Sequence, residues 1–413
     1  MTITMVTSSY PRFPGDSIAT FMSPIAAGVA SRGHSVHVVA PWHPRWRREA
    51  SEGDVHFHLY RYAPMRSLNT FGYAAALRAD VRLRYSAMAV APLALVAGWH
   101  CARRVARNTR SSIVHAHWVI PGGVTGAAAA GRLPLVISLH GSDVFVAERH
   151  RLARQAARAA FRRAAWITAC SADLRDRAVR LGAPPRRITV VPYGVDTEQF
   201  KPNQRARTES RARLGIEDDV PLLVAFGRLV EKKGFAYLID AAAALKREYP
   251  ALRVVIAGEG DLEGALRERV VSAGVADRVQ LIGVMPQHAV PALLAAADVA
   301  VAPSIHDEAG NVDGLPNAVM EIMASGTPLV ATRAGGIAAV ATDGETARLV
   351  PERSASALAD AIAGLLRQPS LGLQIGLRAR ETVCREYSWS RVAEAFDDIY
   401  TRIVSSQRPH GTR

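Results

Sequence analysis

Cysteine is scarce in this chain of 413 residues. The three cysteines, Cys101, Cys170 and Cys384, lie far apart and match no metal-ligand spacing. This spacing argues against a disulfide framework and against a cysteine-zinc module. We therefore expect free thiols in a reducing compartment.

Long apolar runs are also missing. The longest near-apolar stretch, residues 87–99, has 13 residues and contains Pro92, whereas a membrane-spanning helix needs about 20. The N-terminus, MTITMVTSSYP, has neither the basic nor the apolar part of a signal peptide. We expect no transmembrane helix, no secretion and a cytoplasmic location.

Lysine is absent from the first 200 residues. That half holds 26 arginines and 11 acidic residues, a net charge of +15, whereas residues 201–413 have a net charge of −1. A cationic half favours an anionic partner, such as a lipid surface, a polyprenyl phosphate or nucleic acid. Arginine-rich coding bias would produce the same composition, so the charge alone does not identify the partner.

Arginines lie on both sides of the apolar run at residues 87–99. The segment from residue 73 to residue 108 has helical character, and we expect interruptions at Pro92 and Gly98. An interfacial helix on anionic lipid would have this pattern. A buried helical hairpin with its arginines extended toward water would have it as well.

Short apolar runs alternate with helical segments along the whole chain, which is typical of parallel sheets in α/β domains. A segment rich in proline, glycine and polar residues, PYGVDTEQFKP (Pro192–Pro202), interrupts this alternation. It indicates a hinge, and the strand–helix alternation starts again after it. The pattern predicts two α/β domains, residues 1–195 and residues 203–388.

Two acids flank a predicted helix start in the second domain. A strand over residues 299–302 is followed by a polar loop with Asp313, by Pro316 at the helix start, and by Glu321. The amino end of a helix attracts phosphate, and a carboxylate beside it can accept hydrogen bonds from sugar hydroxyls. The alternative is a capped helix with solvated acids.

A cationic loop, GRLVEKKG, follows the strand at residues 222–226. Arg228 and Lys233, placed between a strand and a helix, would form an anion cradle with the helix amides. The alternative is a solvated charged turn.

Glycines mark two further loops. Gly258 and Gly260 lie in GEGDLEG, directly after a strand predicted over residues 253–257. The third glycine of a dinucleotide fingerprint comes one residue late, and no acid ends the next strand. NAD binding is therefore disfavoured, whereas a tight turn near a nucleotide remains open. Gly15, after the first strand, would allow close approach of a ligand or simply form a turn.

Histidines end two strands of the first domain. His115 and His117 lie on one strand, and His140 begins the polar loop HGSD after the next. A zinc site would need further ligands, which the sequence does not supply. His140 would otherwise be a ligand-facing imidazole or a structural histidine.

Several of these motifs resemble glycosyltransferase family 4, whose members are retaining nucleotide-sugar enzymes of the GT-B type. The segment DGLPNAVMEIMASGTPLVA (Asp313–Ala331) resembles the family's acidic motif, which usually has glutamate where Asp313 stands. HGSD, the hinge PYGVDTEQFKP, GRLVEKKG and GEG are similar to other family elements and occur in the family's order.

This resemblance implies a GT-B fold, with two Rossmann-like domains facing a cleft and a last helix, about residues 390–413, crossing back to the first domain. It implies that Arg228 and Lys233 neutralise the diphosphate, Glu321 binds the ribose, and Asp313 and His140 contact the sugar. Asp143 would hold the HGSD loop or the acceptor. Further expected donor-site residues are Gly15, Gly258, Gly260, Leu315, Pro316 and Asn317.

The implied activity is retaining transfer of a hexose from a UDP- or GDP-linked sugar to a glycan or lipid-linked acceptor in cell-surface synthesis. We expect no cofactor and no metal, since no D-x-D triplet occurs. We further expect no nucleic-acid partner and peripheral contact with the inner face of the cytoplasmic membrane. A basic nucleic-acid-binding protein and an NAD-dependent oxidoreductase are the alternatives.

Overall fold

The chain forms two compact units, Met1–Tyr193 with Trp389–Arg413, and Gly194–Ser388. The computed structural model describes residues 1–16, 18–63, 65, 69, 72–73, 77–78, 82–83, 85–308 and 310–407. Side chains are described at these positions except 77–78, 82–83, 85–89 and 407.

Strands and helices alternate along most of the chain, as the sequence pattern predicts. The strands are β1 Thr2–Val6, β2 Ser35–Pro41, β3 Ser51–Glu52, β4 Val55–Tyr60, β5 Leu77–Arg78, β6 Arg82–Leu83, β7 Ile113–His117, β8 Leu135–Leu139, β9 Trp166–Ala169, β10 Ile188–Val190, β11 Leu222–Phe226, β12 Arg253–Ala257, β13 Val279–Leu281, β14 Val299–Ala302, β15 Leu329–Thr332 and β16 Arg348–Val350. The helices are α1 Met22–Ser31, α2 Tyr85–Asn108, α3 Val124–Ala130, α4 Ser142–Arg149, α5 Arg151–Arg163, α6 Ala172–Leu181, α7 Gln204–Leu214, α8 Phe235–Ala244, α9 Glu263–Ser272, α10 Val290–Ala296, α11 Asn317–Ala324, α12 Ala355–Arg367, α13 Pro369–Glu386 and α14 Trp389–Gln407.

The N-terminal unit is built on one sheet with the strand order β10-β9-β8-β7-β1-β2-β4-β3. Its strands pair in parallel, apart from the short antiparallel edge strand β3. The central strands β1, β7 and β8 are almost fully buried, because helices cover both faces of such a sheet. The direction of strand succession reverses between β1 and β7, and ligands bind at such switch points in α/β sheets.

The C-terminal unit is a second Rossmann-like sheet, with the order β13-β12-β11-β14-β15-β16 and parallel pairing throughout. The strands predicted over residues 222–226, 253–257 and 299–302 coincide with β11, β12 and β14. The switch point lies between β11 and β14, so the loops that follow these two strands are where a ligand is expected.

The last helix, α14, packs into the N-terminal unit. Phe396, Tyr400 and Ile403 belong to the hydrophobic core formed by β1, β2 and α1. The Tyr400 hydroxyl lies 2.7 Å from Nδ1 of His115 on β7. The C-terminal segment is therefore part of the core of the first unit rather than an appendage.

Helix α2 differs from the sequence expectation, because it runs without a break through Pro92 and Gly98. Gly98 is a site of close packing: a Cβ there would lie 3.1 Å from the ring of Tyr60 on β4. Glycine stands at this position because a larger side chain would not fit against Tyr60, and not because the helix ends there. The expectation of a broken helix or helical hairpin was wrong.

Two expectations about composition can be compared with the structure. All three cysteines are present as thiols, with Cys101 and Cys170 buried and Cys384 exposed, as predicted. Among the helices described, none has the length and apolar composition that crossing a bilayer requires.

Candidate active site

Most of the predicted donor-site residues meet at the switch point of the second sheet. A recess there is lined by the ends of β11 and β14, by Lys233, and by Pro316 and Ala318 at the start of α11. Gly234, with a φ of +66°, brings the two loops together, because a Cβ there would lie 1.9 Å from the carbonyl oxygen of Pro303. Only glycine allows this approach, which places Lys233 beside the recess.

Asp313 is ion-paired with two lysines. The Nζ atom of Lys232 lies 3.0 Å from Oδ1, and Nζ of Lys233 lies 2.6 Å from Oδ2. Burial by itself would raise the pKa of this carboxyl, but the two ammonium groups outweigh it and hold the pKa well below the ordinary value of 3.8. The cluster carries two positive charges and one negative charge, so it retains a net positive charge that suits an anion.

Glu321 lies on α11 and is 8% exposed. Burial raises the pKa of its carboxyl to about 7, although a hydrogen bond from Gln287 and the charge of Lys233 both act to lower it. The Gln287 Nε2 atom donates to Glu321 Oε1 over 2.7 Å. This carboxyl therefore changes its charge in the neutral pH range.

The amino end of α11 faces this cluster of charges. Pro316 is the residue before the helix, Asn317 is its first residue, and no described side chain caps this end. Leu315 and Pro316 are buried and fix the path of the chain into the helix. The first backbone N–H groups of a helix have no partner within the helix, so they are suited to bind an anion.

The glycines of GEGDLEG pack one loop against another. A Cβ on Gly258 would lie 1.8 Å from the carbonyl oxygen of Gly227, and one on Gly260 would lie 2.4 Å from that of Leu229. These contacts hold the loop after β12 against the loop that carries Arg228, whose side chain is exposed. The structure thus gives the two glycines a packing role, and their contact with a nucleotide stays a prediction.

We expect Gly258→Ala to lower the free energy of unfolding by at least about 3 kcal/mol, since it adds a clash to a φ of +152°. Gly264→Ala is the matched control, because Gly264 lies in α9 with nothing within 4 Å of its Cβ position. In Gly264→Ala the free energy of unfolding should rise by about 0.5–1 kcal/mol. Urea unfolding of both variants tests the packing role, and equal stabilities would refute it.

In the N-terminal unit, both ring nitrogens of His140 already have partners. Nε2 lies 3.0 Å from Nδ1 of His117, and Nδ1 lies 2.7 Å from the hydroxyl of Tyr193. Phe21 stacks on the imidazole with ring centroids 4.6 Å apart. Burial, with a smaller contribution from His115, lowers the pKa of His140 to about 3, so the ring is neutral. In this arrangement neither ring nitrogen is available to a sugar.

Asp143 holds the loop that follows β8. Its carboxylate accepts hydrogen bonds from the backbone N–H groups of Val119 at 2.7 Å, Gly141 at 2.9 Å and His140 at 3.3 Å. Helix α4 begins at Ser142, where the sequence predicted a loop. The difference arises because Asp143 fixes the preceding backbone and leaves the chain free to turn into a helix.

His115 and His117 lie side by side, as their spacing on a strand predicts, with ring centroids 4.2 Å apart. The ring nitrogens of His115 are hydrogen-bonded to the hydroxyls of Tyr400 and Ser138, each at 2.7 Å. No group of three potential metal ligands occurs in the described part of the chain. The pattern is one of hydrogen bonds between neutral rings and hydroxyls.

Gly15 lies in the loop after β1, in the N-terminal unit. Its φ is +83°, and a Cβ there would meet nothing within 4 Å, so the backbone turn accounts for glycine. A buried ion pair braces this loop: Nε of Arg12 lies 2.6 Å from Oδ2 of Asp16. A contact between Gly15 and a ligand stays a prediction.

Three residues near the predicted site were missed by sequence reasoning. Lys232 shares Asp313 with Lys233, Gln287 binds Glu321, and Tyr193 binds His140. Lys232 could have been found from its place in the cationic loop. Gln287 is far in sequence from Glu321, and no motif marks it. Tyr193 lies in the hinge segment PYGVDTEQFKP, but nothing in that motif indicates a contact with His140.

The fold is that of the GT-B glycosyltransferases. The structure of HepE from Anabaena in complex with UDP superposes with a TM-score of 0.77 over 97% of this chain and 100% of that chain, at 19% identity. Sucrose-phosphate synthase from Thermosynechococcus elongatus superposes with a TM-score of 0.79 over 98% and 100%, at 18% identity.

The chain belongs to glycosyltransferase family 4. The pattern described as Glycosyltransferase Family 4 matches residues 18–199, and the pattern described as Glycosyl transferases group 1 matches residues 206–382. The alpha-D-kanosaminyltransferase of Streptomyces kanamyceticus is 30% identical over 66% of this chain and 71% of its own length. The GDP-mannose-dependent alpha-(1-6)-phosphatidylinositol monomannoside mannosyltransferase of Mycolicibacterium smegmatis is 33% identical over 65% and 71%.

Family membership confirms the resemblance inferred from the motifs, and it makes the protein a glycosyltransferase. The alternatives of a nucleic-acid-binding protein and of an NAD-dependent oxidoreductase have no comparable support.

Proposed function

We propose that this protein transfers a hexose from a UDP- or GDP-linked sugar to a glycan or lipid-linked acceptor, with retention of the anomeric configuration. The observation that carries the proposal is the cluster of Lys232, Lys233 and Asp313 beside the amino end of α11. The diphosphate of a nucleotide sugar is negatively charged, and this cluster and the helix amides are suited to bind such an anion.

The leaving group gains negative charge as the bond between the sugar C1 atom and the diphosphate oxygen breaks. Lys233, Arg228 and the α11 amides would stabilise that charge, and such preorganised donors are worth several kcal/mol each. Since these groups supply positive charge themselves, the proposed reaction runs without a metal ion. Glu321 would accept hydrogen bonds from the ribose hydroxyls, and Asp313 from hydroxyls of the sugar.

Retention follows if the acceptor attacks C1 on the face that the diphosphate leaves. The departing phosphate oxygen would then take the acceptor proton, so that no protein base is needed. The neutral His140, whose ring nitrogens are both hydrogen-bonded, is consistent with this scheme. In the proposed reaction His140 steadies the sugar through its ring rather than acting as a base.

The names of relatives support the donor and acceptor classes. One relative is GDP-mannose-dependent and acts on a phosphatidylinositol mannoside, and a relative from Escherichia coli is a putative colanic acid biosynthesis glycosyltransferase. One structural neighbour was solved with UDP-glucose. We infer the same classes for this chain: a nucleotide hexose as donor, and a cell-surface glycan or its lipid carrier as acceptor.

A thermal-shift screen of UDP-glucose, GDP-mannose and ADP-glucose tests the donor class. A ligand present at about 100 times its Kd stabilises a protein by about 2.7 kcal/mol. We expect one UDP- or GDP-sugar to raise Tm by several degrees and to be turned over when an acceptor lipid extract is added. No shift with any of the three would contradict the proposal.

We also propose that helix α2 binds the N-terminal unit to anionic lipids at the inner face of the cytoplasmic membrane. Leu93 and Val96 are 56% and 60% exposed, and they share one helix face with the exposed Arg104 and Arg107. Apolar side chains followed by arginines suit the boundary between acyl chains and anionic headgroups.

We expect the double variant Leu93→Glu, Val96→Glu to bind phosphatidylglycerol vesicles at least about tenfold more weakly than the wild type, because it removes apolar burial and adds repulsion. Val271→Glu, which changes a 69% exposed valine on α9, is the matched control. Vesicle co-sedimentation at low and high salt measures the effect. Equal binding by both variants would exclude this surface.

A further inference from the structure

The Glu321 carboxyl has one hydrogen-bond donor within the described part of the chain, the side-chain amide of Gln287. We infer that Gln287 is a positioning residue that orients Glu321 and sets how nucleotide-sugar binding depends on pH. This inference rests on the proposed function, in which Glu321 accepts the ribose hydroxyls. It adds a residue that lies outside every motif identified in the sequence.

Gln287 reaches Glu321 from the other side of the switch point, next to the edge strand β13. It begins a single helical turn, Gln287–Ala289, between the edge strand β13 and α10, whereas α11 connects β14 to β15 on the other side of the switch point. The Ala289 N–H donates to the Pro286 carbonyl over 2.9 Å and closes this turn. The fold therefore places the Gln287 amide beside the Glu321 carboxyl. A substitution at Gln287 alone can test how this amide affects Glu321.

The hydrogen bond favours the ionised carboxylate, because an amide N–H donates more strongly to a charged oxygen than to a neutral one. Burial raises the pKa of Glu321 to about 7 even though this bond acts to lower it. The second opposing group is Lys233, but its charge is shared with Asp313 at 2.6 Å. Gln287 is thus the group in direct contact that keeps Glu321 ionisable near neutral pH.

Two further basic side chains, Arg380 and His288, lie on elements next to Glu321. Arg380 on α13 donates to the backbone carbonyl of Ala324, near the end of the helix away from the cluster. His288 follows Gln287 and is exposed. Because His288 is the neighbour of Gln287 in the chain, His288→Gln serves as the control variant.

Binding of a ribose requires the ionised form of Glu321. A carboxylate can accept hydrogen bonds on both oxygens, whereas a protonated carboxyl must itself donate at one of them. Donor affinity is therefore full above pH 7 and falls as the pH drops below 7, at most tenfold per pH unit. Binding near pH 7 should also release a fraction of a proton.

Two substitutions should move this dependence in opposite directions. Gln287→Met removes the donor at similar volume, which raises the pKa of Glu321, and we expect the midpoint of the affinity profile to rise by about one pH unit. Gln287→Lys places a cation beside the carboxylate, so the midpoint should fall and affinity should stay constant between pH 6.5 and pH 8. His288→Gln should leave the wild-type midpoint unchanged.

Calorimetry from pH 5.5 to pH 9 measures the profiles, using whichever of UDP-glucose, GDP-mannose and ADP-glucose binds the wild type. Nucleotide sugars are preferable to nucleoside diphosphates, whose terminal phosphate titrates near neutral pH. The inference is overturned if both variants bind more weakly by one constant factor at every pH. It is overturned as well if His288→Gln abolishes the dependence.

Carbon-13 NMR of the Glu321 carboxyl in the free protein separates this inference from the proposed function. We expect its midpoint to rise in Gln287→Met and to fall in Gln287→Lys, whether or not a donor binds. If these shifts occur but no nucleotide sugar binds, the proposed function fails while the coupling stands. If donors bind and the midpoints do not move, Gln287 has no such role.

Discussion

Lys233→Ala is expected to lower the turnover of sugar transfer at least about 100-fold. The substitution removes the ammonium group that would stabilise the departing diphosphate, and one preorganised charged donor is worth about 3 kcal/mol or more in the transition state. It also breaks the 2.6 Å ion pair with Asp313 and leaves Lys232 as the partner of that carboxylate. Steady-state kinetics with saturating donor would show the loss in kcat.

The matched control is Lys246→Ala. Lys246 is an exposed lysine of the same unit, and its ammonium group donates to the carbonyl of Gly274. We expect this variant to keep wild-type turnover, because it removes an equal charge outside the site. Near-normal turnover in Lys233→Ala would remove Lys233 from the mechanism.

Glu321→Gln is expected to lower the turnover of sugar transfer at least about 100-fold. At the same time, it should raise the free energy of unfolding at pH 8. Loss of transfer follows because a neutral amide cannot replace a carboxylate as acceptor for two ribose hydroxyls. The gain in stability follows because the substitution removes a negative charge that the wild type must keep buried. Together the two effects would identify Glu321 as a residue kept for function at the expense of stability.

The pH dependence of that gain has a defined sign. Burial raises the pKa of Glu321 from 4.5 to about 7 in the folded protein. Between these two values the folded state binds the proton more tightly than the unfolded state, so the ionised carboxylate costs the wild type stability as the pH rises through this range. A pKa shift of this size lowers the free energy of unfolding of the wild type by about 3 kcal/mol at pH 8 and by almost nothing at pH 4.5.

Thermal unfolding of Glu321→Gln and wild type at pH 4.5 and pH 8 measures this difference. We expect Tm to rise by several degrees at pH 8 only, since each kcal/mol moves Tm by about 2–4 °C in a domain of 150–250 residues. Glu268→Gln, an exposed glutamate on α9, is the control and should show no change. A loss of stability in Glu321→Gln at pH 8 would contradict the account.

The sheets were largely predictable because their strands are buried on both faces. Apolar runs bounded by glycine, proline or charged residues gave β11, β12 and β14 to the residue, since a buried parallel strand admits few polar side chains. Strand β4, Val55–Tyr60, was not predicted. Its histidines at positions 56 and 58 obscured the apolar pattern, and they are tolerated because His37 on β2 lies opposite, with its ring nitrogen 3.0 Å from that of His58.

The site was predictable only where its residues lie in short motifs. Lys233, Asp313 and Glu321 were found because the strand–loop–helix pattern and the family motifs mark them, and α11 begins one residue after Pro316. The partners that set their charges were not found. Gln287 lies 34 residues before Glu321, and the fold of the sheet, rather than local sequence, brings the two side chains together.

The partners of His140 were unpredictable for the same reason. The sequence suggested a ligand-facing imidazole or a structural histidine at the end of β8. Tyr193 is 53 residues away in the chain and His117 lies on the neighbouring strand, yet both bind its ring. Only tertiary structure shows that both nitrogens of this neutral ring have partners within the protein.

The most direct test is a crystal structure of the chain grown with the nucleotide sugar that binds it. The account predicts the diphosphate between the Lys233 ammonium group, Arg228 and the amino end of α11, with the ribose hydroxyls on Glu321. A nucleotide bound elsewhere in the chain, with no group between Lys233 and Glu321, would contradict it.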